Sequence, residues 1–551
     1  MGKDWRDPPT PPSGAAAHFA YSRVPRDRLW GVLFGLVWAA AIVGGIYAIT
    51  HRNPAFIRTD YTDPTSCPYT PNEAHRRLLE AMAEEGKGDW SFSAFMHLTG
   101  RWLLVSALLA LGLGVAFIHL FKHHAGMMTR VTIWGQVAFP AAAALACVVT
   151  GQPLVGLLFG GVAALAAFVF YLWRGQIELA TRLLGVSAHG LAANPGVITA
   201  TIALNVASMV AIAPLCVFLG FAFMNGKAVP NPSRDPGAAT CITPDGQQVL
   251  CCSWQPNTYA QVYMSGGMVT LLWTMLLANQ IRVFVTSGAV AQWYFAPPDA
   301  LCAPRGTTLL SFKHAMGPSF GSLCLSSLVL TVSEMLRSAM ENAQQRDSER
   351  EFNALMLVKV CLICLAQCLL SILEYITKFA TVMMAITGEA FVAAGRHVTD
   401  LLLRNLLNAF ASTIWFTPMV IRMACFMLSL GWALLSGGTY WYLHRSSAGV
   451  EATPGLNAAI LGASVYLITQ FVLSFLGGIL LSVLDAVFIC WAIDRDSQTV
   501  SHPEVYAVFQ AVPIPGAVVE QPDGGVSYGA GQQQAAPDGP HLYQPPGVAH
   551  V

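Results

Sequence analysis

Charge is scarce in this chain. Only 11 per cent of its 551 residues are Asp, Glu, Lys or Arg, against about 25 per cent in an average soluble domain. Hydrophobic residues make up 54 per cent. So few charges cannot clothe a soluble protein of this length, which excludes a soluble enzyme and a disordered regulator. An excess of one sign is also missing: 30 basic residues balance 30 acidic ones, so nucleic acid is not an expected partner. What stands in place of the missing charge is a series of long apolar runs. The partner they imply is a lipid bilayer.

Other absences narrow the chemistry. There is no P-loop, no G-x-S-x-G turn and no paired His–Cys arrangement, so neither hydrolysis nor phosphoryl transfer is expected, and no cofactor. His119, His123 and His124 spell H-x-x-x-H-H at a helix end, a spacing used by membrane di-iron enzymes. A di-iron site needs about eight histidines from several boxes, because both coordination spheres must be filled. No second box exists, so no metal site is expected. Cys361, Cys364 and Cys368 share one helix face, and in an apolar helix they read as small packing residues rather than redox thiols.

A spanning helix needs roughly 20 mostly apolar residues. Ten stretches qualify, near 30–49, 100–120, 131–150, 154–173, 197–224, 259–285, 311–335, 354–386, 411–437 and 459–491. They predict an all-α polytopic membrane bundle, since backbone polar groups in lipid must be satisfied within the segment. The last stretches exceed one span, which predicts tilt or extension beyond the bilayer. Lys3, Arg6, Arg23, Arg26 and Arg28 precede the first span, so the positive-inside rule places the N-terminus in the cytosol. Ten spans return the C-terminus there. The chain thus divides into a head (1–29), a transmembrane domain (30–494) with outer loops 50–99 and 225–258, and a Pro/Gly/Gln-rich tail (495–551) that reads as disordered. The mixed charge of 337–355 does not choose a side. Cys67, Cys241, Cys251 and Cys252 lie in the two outer loops, where disulfides are permitted; three pairings are open.

Ionisable residues inside spans are costly and so mark candidate sites. Glu374 and Lys378 stand at i, i+4, which offers an ion pair along one helix. Asp485 lies within the last span and Arg422 in the ninth, and the two could neutralise each other across the bundle. Trp273 sits centrally in the sixth span, and Gln292-Trp293-Tyr294-Phe295 follows. A quaternary ammonium has no N–H to donate, so aromatic faces such as Trp273 and Tyr294 suit it. Trp30 and Trp293 fit an interfacial belt. Gly31/Gly35, Gly156/Gly160 and Gly317/Gly321 are G-x-x-x-G pairs that let helices approach closely. The run Gly317-Pro318-Ser319-Phe320-Gly321-Ser322 is the best candidate for a broken helix, a device by which carriers expose backbone near a substrate.

Segment 174–195 resembles the amphipathic connector of the choline transporter-like proteins. The likeness grows downstream, in LLWTMLLANQIRVFVTSGAVAQWYF (271–295), SFKHAMGPSFGSLCLSSLVLTVSEMLR (311–337) and LEYITKFATVMMAITGEAFVAAGRHVTDLLLRNLL (373–407). In the last block Glu374 and Lys378 match a Glu and a nearby Lys, Gly388 a helix-ending glycine, and Arg404-Asn405 an Arg-Asn pair. FICWAIDRD (488–496) is similar to the acidic end of the family's last span. The N-terminal half matches in layout only.

The resemblance implies ten helices, cytosolic termini and carriage of choline and related amines such as ethanolamine. The expected site then has Trp273 and Tyr294 around the ammonium, Glu374 and Asp485 supplying negative charge, and Gly317 and Gly321 flexing as a gate. Expected partners are a small choline-like cation and the bilayer, at the plasma membrane by default; oligomeric state is left open. Carriage of another small organic cation and a non-transporting scaffold or lipid-handling role are the alternatives.

Overall fold

In a computed structural model, residues 18–58, 61, 92–149, 151, 153–172, 174–233, 241–242, 249–296, 306–347, 354–405, 407–444 and 454–510 are described. Helices dominate: α1 (Arg28–Thr50), α2 (Ala55–Arg58), α3 (Phe92–Val149), α4 (Pro153–Leu172), α5 (Arg174–Ala193), α6 (Gly196–Phe223), α7 (Thr258–Tyr294), α8 (Thr307–Met316), α9 (Phe320–Asp347), α10 (Ala354–Thr387), α11 (Phe391–Asn405), α12 (Leu407–His444), α13 (Pro454–Asp496) and α14 (Pro503–Gln510). Among the described residues, eight segments are long and apolar enough to cross a membrane. The other two expected stretches are present as shorter apolar helices, Ile133–Val149 and Gly156–Leu172.

Burial is inverted relative to a soluble protein. Leu154, Val149, Trp134 and Val210 are 70–81% exposed on apolar helices, where lipid is their natural neighbour. The core instead centres on α13, which packs against α3, α5, α7 and α12; its Leu480, Val483, Ala486 and Cys490 are fully enclosed. At 43 residues and about 1.5 Å per residue, α13 is roughly twice the length one crossing needs. That matches the expected extension.

Two boundaries differ from expectation. The supposed loop 121–130 is helical, and α3 runs through it with a kink at His124 (φ −137°, ψ 40°). No proline falls in this stretch and its one glycine, Gly126, only weakens a helix, so helical structure continues on either side of the kink. His119 and His124 are exposed, and among the described residues no three His, Cys, Asp or Glu side chains gather as a metal would require. The expected span 311–335 is divided: α8 ends at Met316, and the crossing segment is Phe320–Gln345. Gly317 and Pro318 cause the break, because Pro has no N–H to continue the helix.

The loop 225–258 folds as an antiparallel pair, Gly226–Pro230 against Cys252–Pro256. Cys241 and Cys251 form a disulfide, and Cys252 is also disulfide-bonded; Cys67 lies outside the described residues. A ring of ten residues restrains the unfolded loop by about 2–3 kcal/mol. Reduction is therefore expected to speed proteolytic cleavage within 225–258 and leave the spans intact, which limited digestion with and without reductant checks.

Candidate substrate site

Helix α7 packs against α9, α10 and α13, and α10 against α9 and α13, and their facing surfaces carry buried polar side chains. Trp273 of α7 is 3% exposed. Its indole N–H donates to Cys324 O (3.2 Å) and Ser327 Oγ (3.1 Å) of α9, and its ring meets Phe34 of α1 edge-on at 5.2 Å. Thr381 of α10 donates to Gln280 Oε1 of α7 at 2.7 Å. Trp273 and Glu374 each lie seven residues before this bond, so the two stand at similar depth on neighbouring helices.

Both carboxylates are held across helices. Glu374 pairs with Arg337 of α9 and accepts from Ser333 Oγ at 3.3 Å. Lys378 Nζ approaches Asp485 Oδ2 of α13 at 2.5 Å. The intrahelical Glu374–Lys378 pair expected from spacing is therefore not formed, nor is the Asp485–Arg422 pair; Arg422 is exposed. The reason is electrostatic. A Glu374–Lys378 pair would leave Arg337 and Asp485 unpaired within the bundle, whereas the two cross-helix pairs neutralise all four groups.

Exposure is strongly one-sided. The four paired side chains retain 11–35% exposure. One turn further along α10, residues 379–386 are 0–1% exposed. The seam is thus sealed toward the end of the bundle where the described parts of both termini pack.

That sealed end contains Tyr294 and Asp494. Tyr294 is fully buried and donates to Asp494 Oδ2 at 3.1 Å. Asp494 also accepts from Ser501 N (2.8 Å), Ser501 Oγ (2.8 Å) and Thr499 Oγ1 (3.1 Å). Trp293 is 9% exposed and lies against His502 at 4.8 Å, so it is an internal residue and not part of an interfacial belt. Trp273 and Tyr294 are 21 residues apart on one helix, roughly 30 Å. The fold does not bring them into one cage.

From composition the tail from 495 is expected to be disordered. Instead its first part doubles back: α14 places Phe509, fully buried, in a stack on Trp491 at 5.0 Å. The head is likewise packed from residue 18. Phe19 is 4% exposed, and Arg23 donates to Met384 O (3.0 Å) and Ala385 O (2.7 Å). Asp27 accepts from Ser322 Oγ at 2.6 Å. At Gly321 a Cβ would lie 2.2 Å from Asp27 O. The second glycine of the Gly317/Gly321 pair therefore admits the chain segment before α1, while a Cβ at Gly31 would lie 3.3 Å from the Phe320 ring of α9.

His314 of α8, outside the spans, is 8% exposed. Burial, and then the nearby Arg23 guanidinium, lower its pKa to about 4. The unfolded chain takes up this proton near pH 6.5 and the folded protein only near 4, so folding weakens as pH falls through that window. His314→Gln is expected to flatten the fall in thermal midpoint between pH 6.5 and 4, relative to wild type.

A cavity of about 1010 Å³ adjoins the seam. Phe34, Trp38, Ala203, Ala207, Phe312 and Phe320 line it, with Thr274 on its α7 wall. Among the described residues that line it, none is acidic or basic. On the opposite surface, Cys361, Cys364 and Cys368 of α10 are all exposed and contribute to no site.

Sequence reasoning missed Arg23, Asp27, Arg337 and Asp494. The first two lay in what reads as a solvated basic head. Arg337 lay past the expected span end. Asp494 carried a signal: it falls in the block that matches the family's last span.

Apolar helices with charged residues paired between them define the class: a polytopic α-helical membrane protein with an intramembrane polar seam. The sequence profile described as plasma-membrane choline transporter matches residues 157–496, and the chain belongs to this choline transporter-like family. A CTL-like protein of Dictyostelium discoideum is 24% identical over 419 residues, covering 70% of this chain and 72% of that protein. Protein PNS1 of Yarrowia lipolytica is 23% identical over 439 residues, with shares of 76% and 70%. Choline transporter-like protein 2 of Rattus norvegicus is 24% identical over 283 residues, with shares of 48% and 38%.

Proposed function

We propose that this protein carries choline, or a closely related small amine such as ethanolamine, across the plasma membrane by alternating access. The observation that carries the reading is the one-sided exposure of the two ion pairs above a sealed half-bundle. Such a state suits a carrier open to one face. Glu374 and Asp485 attract the cation, and Lys378 and Arg337 hold them neutral until it arrives. Trp273, with Phe34 at its edge, offers an aromatic surface at the same depth. Tyr294 acts at the closed end with Asp494, and the Gly317–Gly321 break is where the gate flexes. With no nucleotide motif in the sequence, the drive is a gradient or the membrane potential. A potential of 100 mV is worth about 2.3 kcal/mol per charge, roughly fifty-fold accumulation.

Radiolabelled choline uptake into proteoliposomes tests this: saturable flux is expected, and its absence sinks the reading. Trp273→Ala is expected to raise KM about tenfold or more, the order of a desolvated cation–π contact. Trp134→Ala, at a 72% exposed position, is expected to leave KM unchanged.

The apolar cavity supports a second reading, a lipid-handling protein. Thermal-shift titration separates the two, because a ligand stabilises only the protein that binds it. A carrier of choline is stabilised by choline; a lipid handler responds to phospholipid alone.

A further inference from the structure

We propose that residues 18–27 are a latch holding one end of the bundle shut, with Arg23 and Asp27 as its positioning residues. The proposal rests on the carrier reading above and goes beyond it by naming the part that must move.

The segment has no regular secondary structure before α1, so no internal ladder holds it in place. Phe19 and Tyr21 pack on the core and His18 lies 5.3 Å from the Phe295 ring; the rest of what holds the segment is a set of polar bonds to the ends of other elements. The last four carbonyls of a helix have no intrahelical donor. In α10 three of those four accept from this segment: Arg23 Nη1 donates to Met384 O, which Gly388 N also caps at 3.0 Å, Arg23 Nη2 to Ala385 O, and Ala20 N to Ile386 O at 3.0 Å. The guanidinium also lies over the Phe284 ring of α7 at 5.5 Å. Arg26 N donates to Pro318 O, inside the α8–α9 break, at 3.2 Å. Asp27 Oδ2 accepts from Ser322 Oγ of α9 and from Phe391 N at the start of α11 (3.3 Å).

These partners belong to α7, α9, α10, α11 and the break. They are the elements that must separate if this end is to open. Phe284 and Ala385 lie four residues beyond Gln280 and Thr381 respectively, about one helical turn below the polar seam. The latch therefore reaches close to the candidate substrate path. Its withdrawal would take the latch donors from Ala385 O and Ile386 O in the last turn of α10, leaving them for water to satisfy, while Met384 O keeps Gly388 N. Opening and wetting of this end are thus one event.

Two geometric features suit a seat built for this segment. Gly321 has no room for a Cβ against the Asp27 carbonyl. Gly388, at φ +72°, turns the chain beside Arg23, whose Cγ lies 3.2 Å from where a Cβ would stand. The segment swings from Asp27, itself in the left-handed region at φ 53°.

Native cysteines report on the latch in the full-length protein. Cys324 is completely buried beside the closed end, and Cys425 is completely buried in α12. Maleimide labelling in lipid nanodiscs, resolved by peptide mass spectrometry, follows both thiols without added cysteines. Arg23→Ala is expected to speed labelling of Cys324 about tenfold by shifting the population toward the open end, while Cys425 stays at its wild-type rate. Ser322→Ala removes one latch bond and leaves every Arg23 contact in place, so it covers the case in which Arg23→Ala does not fold. A rise at Cys324 in either folded variant, with Cys425 unchanged, supports the latch. An unchanged Cys324 in both variants, or a parallel rise of both thiols, overturns it. The labelling needs no substrate: its failure removes the latch and leaves uptake untouched, and absent choline uptake removes the carrier reading without altering the labelling.

Discussion

Asp485→Leu is expected to lower stability by about 2–3 kcal/mol and to abolish uptake. The carboxylate is the partner of Lys378 at 2.5 Å, and removing one member of a buried pair strands the other, typically at a cost of about 3–5 kcal/mol. The smaller figure applies here because the Lys378 side chain is 35% exposed and its long stem can carry the ammonium toward water. Lys378→Met alone strands the carboxylate, which is only 11% exposed, and is expected to cost more. The double variant Lys378→Met/Asp485→Leu removes both charges and should recover most of the stability, because the desolvation penalty disappears with the pair. If Asp485 serves the cation, uptake stays lost in the double variant while folding returns. Thermal midpoints in detergent, measured beside proteoliposome uptake, check both halves. Recovery of transport together with stability would show that the pair is structural.

Asp494→Leu is expected to cost about 4 kcal/mol or more, a large single-residue effect. Its carboxylate is fully buried and accepts four hydrogen bonds, two at each oxygen. Leucine leaves those donors facing an apolar group, and each unsatisfied buried donor costs about 1–3 kcal/mol. Tyr294→Phe removes one donor cleanly and is expected to cost about 1 kcal/mol. The two residues share a bond, so their effects should not add: with Phe at 294, Asp494→Leu strands one donor fewer. A double-mutant cycle on the thermal midpoints measures this coupling. A coupling of zero would mean that the hydroxyl finds another acceptor, and that the clasp between α7 and the C-terminal segment is weaker than its geometry.

The glycine at 388 shows how far local chemistry was readable. The family resemblance implies a helix-ending glycine there, and α10 does end at Thr387 with Gly388 at +72°, a backbone angle that glycine tolerates. The break at Gly317–Ser319 was readable from the residues themselves, since Pro318 cannot continue a ladder. Trp293 shows where reading stops. At the end of an apolar run, an aromatic residue looks interfacial by position, but returning chain at His502 covers it. Position along a helix says how deep a side chain lies; it does not say what else has folded against it.

Low charge and long apolar runs by themselves determined a polytopic helical membrane protein, because lipid leaves the backbone no alternative to satisfying its own hydrogen bonds. They also singled out Glu374, Lys378 and Asp485, since a charge inside a span is rare enough to be noticed. Which charge meets which was decided only in three dimensions. The i, i+4 spacing offered Glu374 to Lys378, yet Arg337 and Asp485 also needed partners, and the arrangement that neutralises all four pairs them between helices. The same holds for the two termini. Composition marks residues 18–27 and 497–510 as polar, proline-bearing parts of a head and a tail, and only the packed bundle supplies the acceptors, at Ala385, Ile386 and Asp494, that give those polar groups something to bind.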